Sequence, residues 1–137
     1  MLRKKTDSFF AISPVLFFCV SLPIIILGIA ADRAMKLFAS TRLRGGEIHE
    51  LIPGILRLNY AENRGAAFSI LENQMLFFIV LTLIVLVFAF FLLLRGHVYG
   101  LFGVVSLSVC ISGAIGNLID RVLYGFVVDM FEPLFIK

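Results

Sequence analysis

The sequence predicts an α-helical integral membrane protein in which three transmembrane helices carry a small β element, and three observations lead there. The first is composition: of 137 residues, 61% are hydrophobic and 15% charged, against about 45–50% and about 25% in an ordinary soluble domain. A domain of 15.3 kDa buries only about two-thirds of its unfolded surface, so a soluble version would leave large apolar patches in water. The second is charge spacing. Between Asp7 and Asp32 lie 24 residues without a charge, between Glu72 and Arg95 another 22, and between Arg95 and Asp120 another 24. Each run makes a helix of roughly 33–36 Å, enough to cross a hydrocarbon core of about 30 Å. The third is Leu56-Arg57-Leu58-Asn59-Tyr60, which alternates apolar and polar residues between turn signals, as a half-buried strand does.

Two other classes are excluded. The 15 Phe and the long Leu/Ile/Val runs are the reverse of a disordered composition. The net charge of +3 does not indicate nucleic acid, because the twelve Lys and Arg are scattered and only Arg3-Lys4-Lys5 forms a cluster. The expected partner is membrane lipid, not nucleic acid.

Taken in order, the chain reads as one membrane domain, 1–137. The first helix is expected over about 9–38. It follows basic residues as a secretory signal would, but a signal's apolar region spans only about 7–15 residues, so this one stays as an anchor. Pro23 inside it is tolerable in a membrane and kinks the helix. Leu16-Phe17-Phe18-Cys19 places a Leu three before a Cys, but Phe stands where a lipobox has small residues. Cys19 and Cys110 both fall in apolar runs, as packing residues. A loop over about 40–72 follows, with Gly45-Gly46 and Pro53-Gly54 as turns, read as a β element on the membrane surface. The second and third helices, about 74–94 and about 98–124, are joined only by Leu94-Arg95-Gly96-His97, which forces an antiparallel hairpin. Gly125 ends the third helix, and residues 125–137 form an active-site segment that starts extended. The positive-inside count gives no clear vote on orientation, and the basic N-terminal cluster favours a cytoplasmic N-terminus.

Ionisable groups beside or within membrane helices cost about 2.5–3.5 kcal/mol each at the bilayer centre, which makes them functional candidates. Here they are Asp32, Lys36, Asp120, Arg121 and Asp129. Asp32 and Lys36 are four apart with the acid first, the order for a same-face ion pair at a helix end. Ser108, Ser112, Gly116 and Asp120 recur every four residues, a small-residue stripe leading to a carboxylate, with Gly113, Asn117 and Arg121 beside it. Ordinary helix packing, with Asp120 paired to Arg121 or a neighbour, explains the stripe but leaves Asp129 unexplained. Asp129 lies near the membrane surface between apolar residues, a setting suited to general acid/base work.

Other hydrolytic chemistries fail on their spacing. His49-Glu50 begins a zinc H-E-x-x-H, but Pro53 stands where the second His must be. Cys110-Ile111-Ser112-Gly113 falls one residue short of an intramembrane serine protease motif, with no His in a later helix. No phosphate-binding glycine loop occurs, and two distant histidines hold no metal, so neither metal nor cofactor is expected.

Four blocks in order resemble the bacterial lipoprotein signal peptidases, or signal peptidase II. Asp32-Arg33-Ala34-Met35-Lys36 is similar to that family's D-Q-x-x-K, with Arg33 in place of the usual Gln. Asn63-Arg64-Gly65-Ala66-Ala67-Phe68-Ser69 resembles N-x-G-A-A-F-S. Gly113 to Arg121 matches G-x-x-G-N-x-x-D-R through Gly116, Asn117, Asp120 and Arg121, and Gly125 to Met130 matches G-x-V-V-D-[FM]. The resemblance implies an aspartic endopeptidase of the bacterial inner membrane that removes signal peptides from diacylglyceryl-modified prolipoproteins, just before the lipidated Cys. It implies four transmembrane helices with a small extracytoplasmic β-cradle, and a site on the outer side, in agreement with a cytoplasmic N-terminus.

Spacing alone would pair Asp120 with Asp129 as a catalytic dyad. The resemblance instead makes Asp129 catalytic, Asn63, Asn117 and Arg121 substrate-binding or site-orienting, and Asp32, Lys36, Asp120, Gly65 and Gly116 structural. The partner of Asp129 would come from an F-N-x-A-D block opening a fourth helix, and that block is absent from these residues. Ending on Leu134-Phe135-Ile136-Lys137, the chain reads as truncated and, with one of two carboxyls, as inactive by itself. The alternatives are a non-enzymatic membrane protein that binds lipoprotein precursors or assists assembly, and a small transporter subunit.

Overall fold

The computed structural model describes residues 14–45, 49–65, 74–95, 98 and 100–134. Three helices dominate it: α1 (Pro14–Phe38), α2 (Met75–Leu94) and α3 (Gly100–Tyr124). Three strands, β1 (His49–Ile52), β2 (Leu56–Asn63) and β3 (Val127–Pro133), form one antiparallel sheet in the order β1-β2-β3. All three helices are long and apolar enough to cross a membrane. Their outer faces carry bare hydrocarbon: Leu76 is 73% exposed, Val87 71% and Phe102 86%. Such surface is stable against lipid and not against water.

Local chemistry sets the helix ends. Helix α1 is described from Pro14 onward. At the other end the chain tightens into a π-helical turn over Ala39–Leu43. There the Ser40 and Thr41 hydroxyls donate to the Leu37 carbonyl at 2.9 and 2.8 Å, and Thr41 also reaches Phe38 O at 3.1 Å. Carbonyls that a helix end leaves without partners are satisfied in this way. Helix α3 stops at Gly125, whose φ of 79° lies in the left-handed region and whose N–H donates to Arg121 O at 3.1 Å.

The residues fall into two compact units. One holds the described parts of 1–30 and 81–115. Ile25, Leu86, Ala89, Leu93, Val104 and Ile111 are buried there, together with Ser21, Ser108 and Ser112. Ser108 and Ser112 turn their hydroxyls back onto the Val104 and Val109 carbonyls at 2.7 and 2.8 Å, so neither needs an external partner. Gly28 lies so close to Ser112 that an added Cβ would meet the serine Cβ at 2.7 Å. The small-residue stripe therefore works as a close-packing seam.

The other unit holds 31–80 and 116–137, again as far as described, and contains the sheet. Its apolar centre is Ala39, Leu43 and Val128, with Leu58, Tyr60, Phe126 and Met130 packed against them. Strands β1 and β2 turn through Pro53-Gly54-Ile55, with Gly54 at φ 72° and Ile55 N donating to Ile52 O at 3.0 Å. The pairing of β2 with β3 shifts between Leu58 and Ala61, so Asn59 and Tyr60 together face the one residue Met130. That is a β-bulge, which bends a strand and re-aims its side chains. The strand after Gly125 pairs across 56–63 as the third strand of the sheet, where the sequence alone predicts only an extended segment.

A paired charge fastens the open end of the sheet. Arg57, opposite Glu132, grips it with two hydrogen bonds of 2.7 Å, and Asn59 adds a third at 3.0 Å. These donors hold the Glu132 carboxyl below the usual glutamate range, Arg57 contributing most. A depressed folded-state value stabilises above the unfolded value and is lost as pH falls through the folded one. Protection of the 56–58 and 131–132 amides from hydrogen exchange is therefore expected to fall as pH drops below the ordinary glutamate range. Glu132→Gln should remove that dependence, and an identical acid response in the variant would show that the pair does not fasten the strands.

Candidate active site

The sequence places two carboxylates and two cations near the ends of α1 and α3, and the fold joins all four. Arg33 Nη1 donates to Asp120 Oδ1 at 2.6 Å. Its Nη2 and Nε reach Asp32 Oδ2 at 2.7 and 3.2 Å, and Nη2 also meets Gly116 O at 3.0 Å. Lys36 Nζ lies 2.7 Å from Asp120 Oδ2 and 3.2 Å from Asp32 Oδ1, and donates to Asn117 Oδ1 at 2.9 Å. The Asp32–Lys36 pair expected from i,i+4 spacing is thus present inside a larger set. Asp120 is wholly buried. The partner expected for it was Arg121 or another neighbour; Arg33 and Lys36 hold it instead, because α1 brings both cations to its carboxylate.

Gly116 is required by this closeness. A Cβ there would stand 2.7 Å from the Asp32 carboxyl carbon, and that carboxylate is gripped from two sides. The third hydrogen bond to Asp120 comes from the backbone: Val128 N donates to Oδ2 at 3.2 Å. The buried cluster thereby reaches the residue before Asp129.

Asp129 lies on the sheet and is exposed. It stands opposite Ala61, which puts Asn63 on the diagonal of the same face. Asn63 Nδ2 donates to Asp129 Oδ2 at 2.7 Å, while Asn63 Oδ1 accepts from Gly65 N at 2.9 Å. The second bond is a short-range side-chain turn that fixes which way the amide points. Gly65 O in turn accepts from Arg121 Nη2 at 3.2 Å, and the Arg121 guanidinium lies 5.2 Å from the centre of the Phe78 ring. A connected path therefore runs from α3 through Arg121, Gly65 and Asn63 to the Asp129 carboxylate.

Of the residues singled out from sequence, Asn63, Gly65, Arg121 and Asp129 form one group. Asp32, Lys36, Asp120, Gly116 and Asn117 form the other. Asn117 serves there as an acceptor for Lys36. Ala66 to Ser69 of the matched block lie outside the described residues. Arg33 entered the sequence reading only as a departure from a motif. Two acids beside a single Lys in an apolar segment were the signal that a second cation was needed. A cavity of about 260 Å³ lies against the charged group, bordered by Arg33, Lys36, Arg44, Tyr60 and Asp120. Tyr60 on its rim donates to Glu62 at 3.1 Å, and burial, followed by that carboxylate, pushes its hydroxyl above the ordinary tyrosine value.

The exposed Asp129 carboxylate accepts from the neutral Asn63 amide. Asp120 accepts from two cations and a backbone N–H, so its oxygens are occupied. No group of three or more His, Cys, Asp or Glu able to hold a metal ion occurs among the described residues.

Residues 24–136 match the family model described as signal peptidase (SPase) II. The chain is 44% identical over 118 residues to the lipoprotein signal peptidase of Streptococcus thermophilus strain CNRZ 1066, covering 85% of this chain and 77% of that one. It is 45% identical over 106 residues to the lipoprotein signal peptidase of Clostridium tetani, covering 77% and 68%. Two solved bacterial membrane enzymes superpose with TM-scores of 0.77 and 0.74, each 35% identical over 85% of this chain and covering 71% and 76% of theirs. With those likenesses spanning both charged groups and the sheet, the chain belongs to the signal peptidase II family, the aspartic peptidases that remove signal peptides from lipoproteins.

Proposed function

We propose that Asp129 is one of the two carboxylates that cut the peptide bond, and that the substrate is a diacylglyceryl-modified prolipoprotein cleaved just before its lipidated Cys. The observation that carries this reading is the exposed Asp129 carboxylate, held at 2.7 Å by Asn63 on the same sheet face. Aspartic catalysis needs two carboxyls sharing a proton, one to activate water and one to polarise the carbonyl. Asp129 supplies one of these roles. The other belongs to an F-N-x-A-D segment, which these 137 residues do not contain. Asn63 and Arg121 orient the site, and Asp32, Lys36, Asp120, Gly116 and Asn117 support it.

An apolar groove supports a lipid-bearing substrate. It measures about 350 Å³, is lined by Met35, Phe38, Leu51 and Leu58, and reaches Met130 and Phe131, the two residues after Asp129. Acyl chains lying there would keep the lipidated end of the substrate beside the carboxylate. We further place the protein in the bacterial inner membrane as one domain, with its N-terminus cytoplasmic and the sheet on the outer side.

A cleavage assay on a lipidated prolipoprotein peptide in detergent tests the assignment. The 137-residue chain alone is expected not to cleave, and the chain extended by a helix that opens with F-N-x-A-D is expected to cleave. In the extended protein, Asp129→Asn should lower turnover by about 10³-fold or more, since an amide cannot carry the shared proton. Activity of the bare chain that disappears on Asp120→Asn would make Asp120 and Asp129 the dyad and sink this reading.

Asn63→Ala in the same extended protein should lower kcat by about 10–100-fold while the protein still inserts. Unchanged turnover would reduce Asn63 to a packing residue. For orientation, Glu50→Cys on β1 should react with an impermeant thiol reagent added outside intact cells. Labelling of Glu50→Cys only after the inner face is opened would reverse the topology.

A further inference from the structure

From α1, Arg33 reaches both carboxylates of the charged group and also a backbone carbonyl of α3. Through its planar guanidinium it binds Asp32, Asp120 and the Gly116 carbonyl at once, a fork that a lysine ammonium does not reproduce. Its charge also completes the balance. With Arg33 the set is two carboxylates and two cations; without it Lys36 alone would face Asp32 and the fully buried Asp120. The consequence extends beyond the helices, because the Asp120 oxygen that Lys36 shares also accepts from Val128 N at 3.2 Å. Val128 is buried and Asp129 exposed, so consecutive residues of β3 are held by different devices: the backbone by Asp120, the side chain by Asn63.

We propose that Arg33 is a positioning residue for cleavage: by fixing Asp120 it fixes the start of β3, and with it the direction of the Asp129 carboxylate. The proposal rests on the reading of Asp129 as catalytic, and its test separates the two. A residue that served only to hold helices together would, when changed, loosen them generally. A positioning residue loosens the strand it aims.

The experiment compares the native protein with Arg33→Gln and Arg33→Lys. Hydrogen exchange is measured in micelles for the full chain, and kcat and KM for the protein extended with the F-N-x-A-D helix. Arg33→Gln should speed exchange across 126–130 by about tenfold, as expected for loss of a charge-assisted hold, and leave exchange across 104–111 of α3 unaltered. It should lower kcat by about 10–100-fold with KM within about twofold of the native value. Arg33→Lys, which keeps the charge but not the fork, should recover only part of kcat. If Arg33→Gln does not accumulate, Asp120→Asn, which leaves Arg33 in place but removes the charge it grips, must show the same local rise in exchange. Exchange across 126–130 that is unaltered, or that rises equally across 104–111, overturns the proposal, as does an effect on KM alone. Cleavage that survives Asp129→Asn would refute the catalytic reading and leave the exchange result to judge Arg33 by itself.

Discussion

A charged side chain left alone near the centre of a bilayer costs about 2.5–3.5 kcal/mol on insertion scales, and the ends of α1 and α3 carry five charged residues, of which Asp32, Arg33, Lys36 and Asp120 pair with one another. Mutual pairing is what allows these residues to reside there, and the pairing constrains everything near it. Arg33 and Asp120 can meet at 2.6 Å only if the two helices approach closely. That approach leaves no space for a Cβ at Gly116. Once fixed, the Asp120 carboxylate has an oxygen available for Val128 N, so a strand outside the helices is tied to a cluster between them. Breaking one partner would do more than lose an attraction, because the charge left behind would remain in apolar surroundings.

The sheet depends on that anchor because it has little else. Three short strands are near the lower limit for independent stability, and their apolar contact is confined to Ala39, Leu43, Val128 and the residues around them. Two polar devices compensate at opposite ends of the β2–β3 pair. Arg57 and Glu132 close the far end, and Asn63 with Asp129 closes the end nearest α3. Between them the bulge at Asn59 and Tyr60 resets the register, so the pairing of Ala61 with Asp129 that brings Asn63 within reach depends on one extra residue in β2.

The helices were legible in the sequence because apolar length is a local property: a run of 20 or more uncharged residues has few other fates. Gly125 as a helix stop was legible for a similar reason, since φ of 79° suits glycine. Strand β2 showed in its alternation at Leu56 to Tyr60. The pairing of β2 with β3 did not, because partners 64 or more residues apart, such as Asn63 and Val127, leave no trace in either segment alone. The i,i+4 stripe on α3 placed Asp120 on an inward face but could not name its partner. Adjacency in sequence suggested Arg121, yet neighbouring residues on a helix point about 100° apart, and Arg121 extends to Gly65 O and the Phe78 ring. Arg33 could have been found by counting charge rather than by matching a motif.

Two carboxylates nine positions apart invite pairing as a dyad, and their surroundings argue against it. A shared proton needs two carboxyl oxygens facing each other with capacity to spare. At Asp120, Oδ1 accepts from Arg33 and Oδ2 from Lys36 and Val128 N, with the whole side chain out of reach of solvent. At Asp129 the described contact is one amide hydrogen bond and the residue is exposed. An acid held by two cations and a backbone N–H is suited to fix geometry, whereas the exposed Asp129 leaves room on its carboxylate for a further partner. The tie at Val128 links the two tasks without merging them. On the proposed reading Asp120 does not touch substrate, because the strand it anchors carries Asp129.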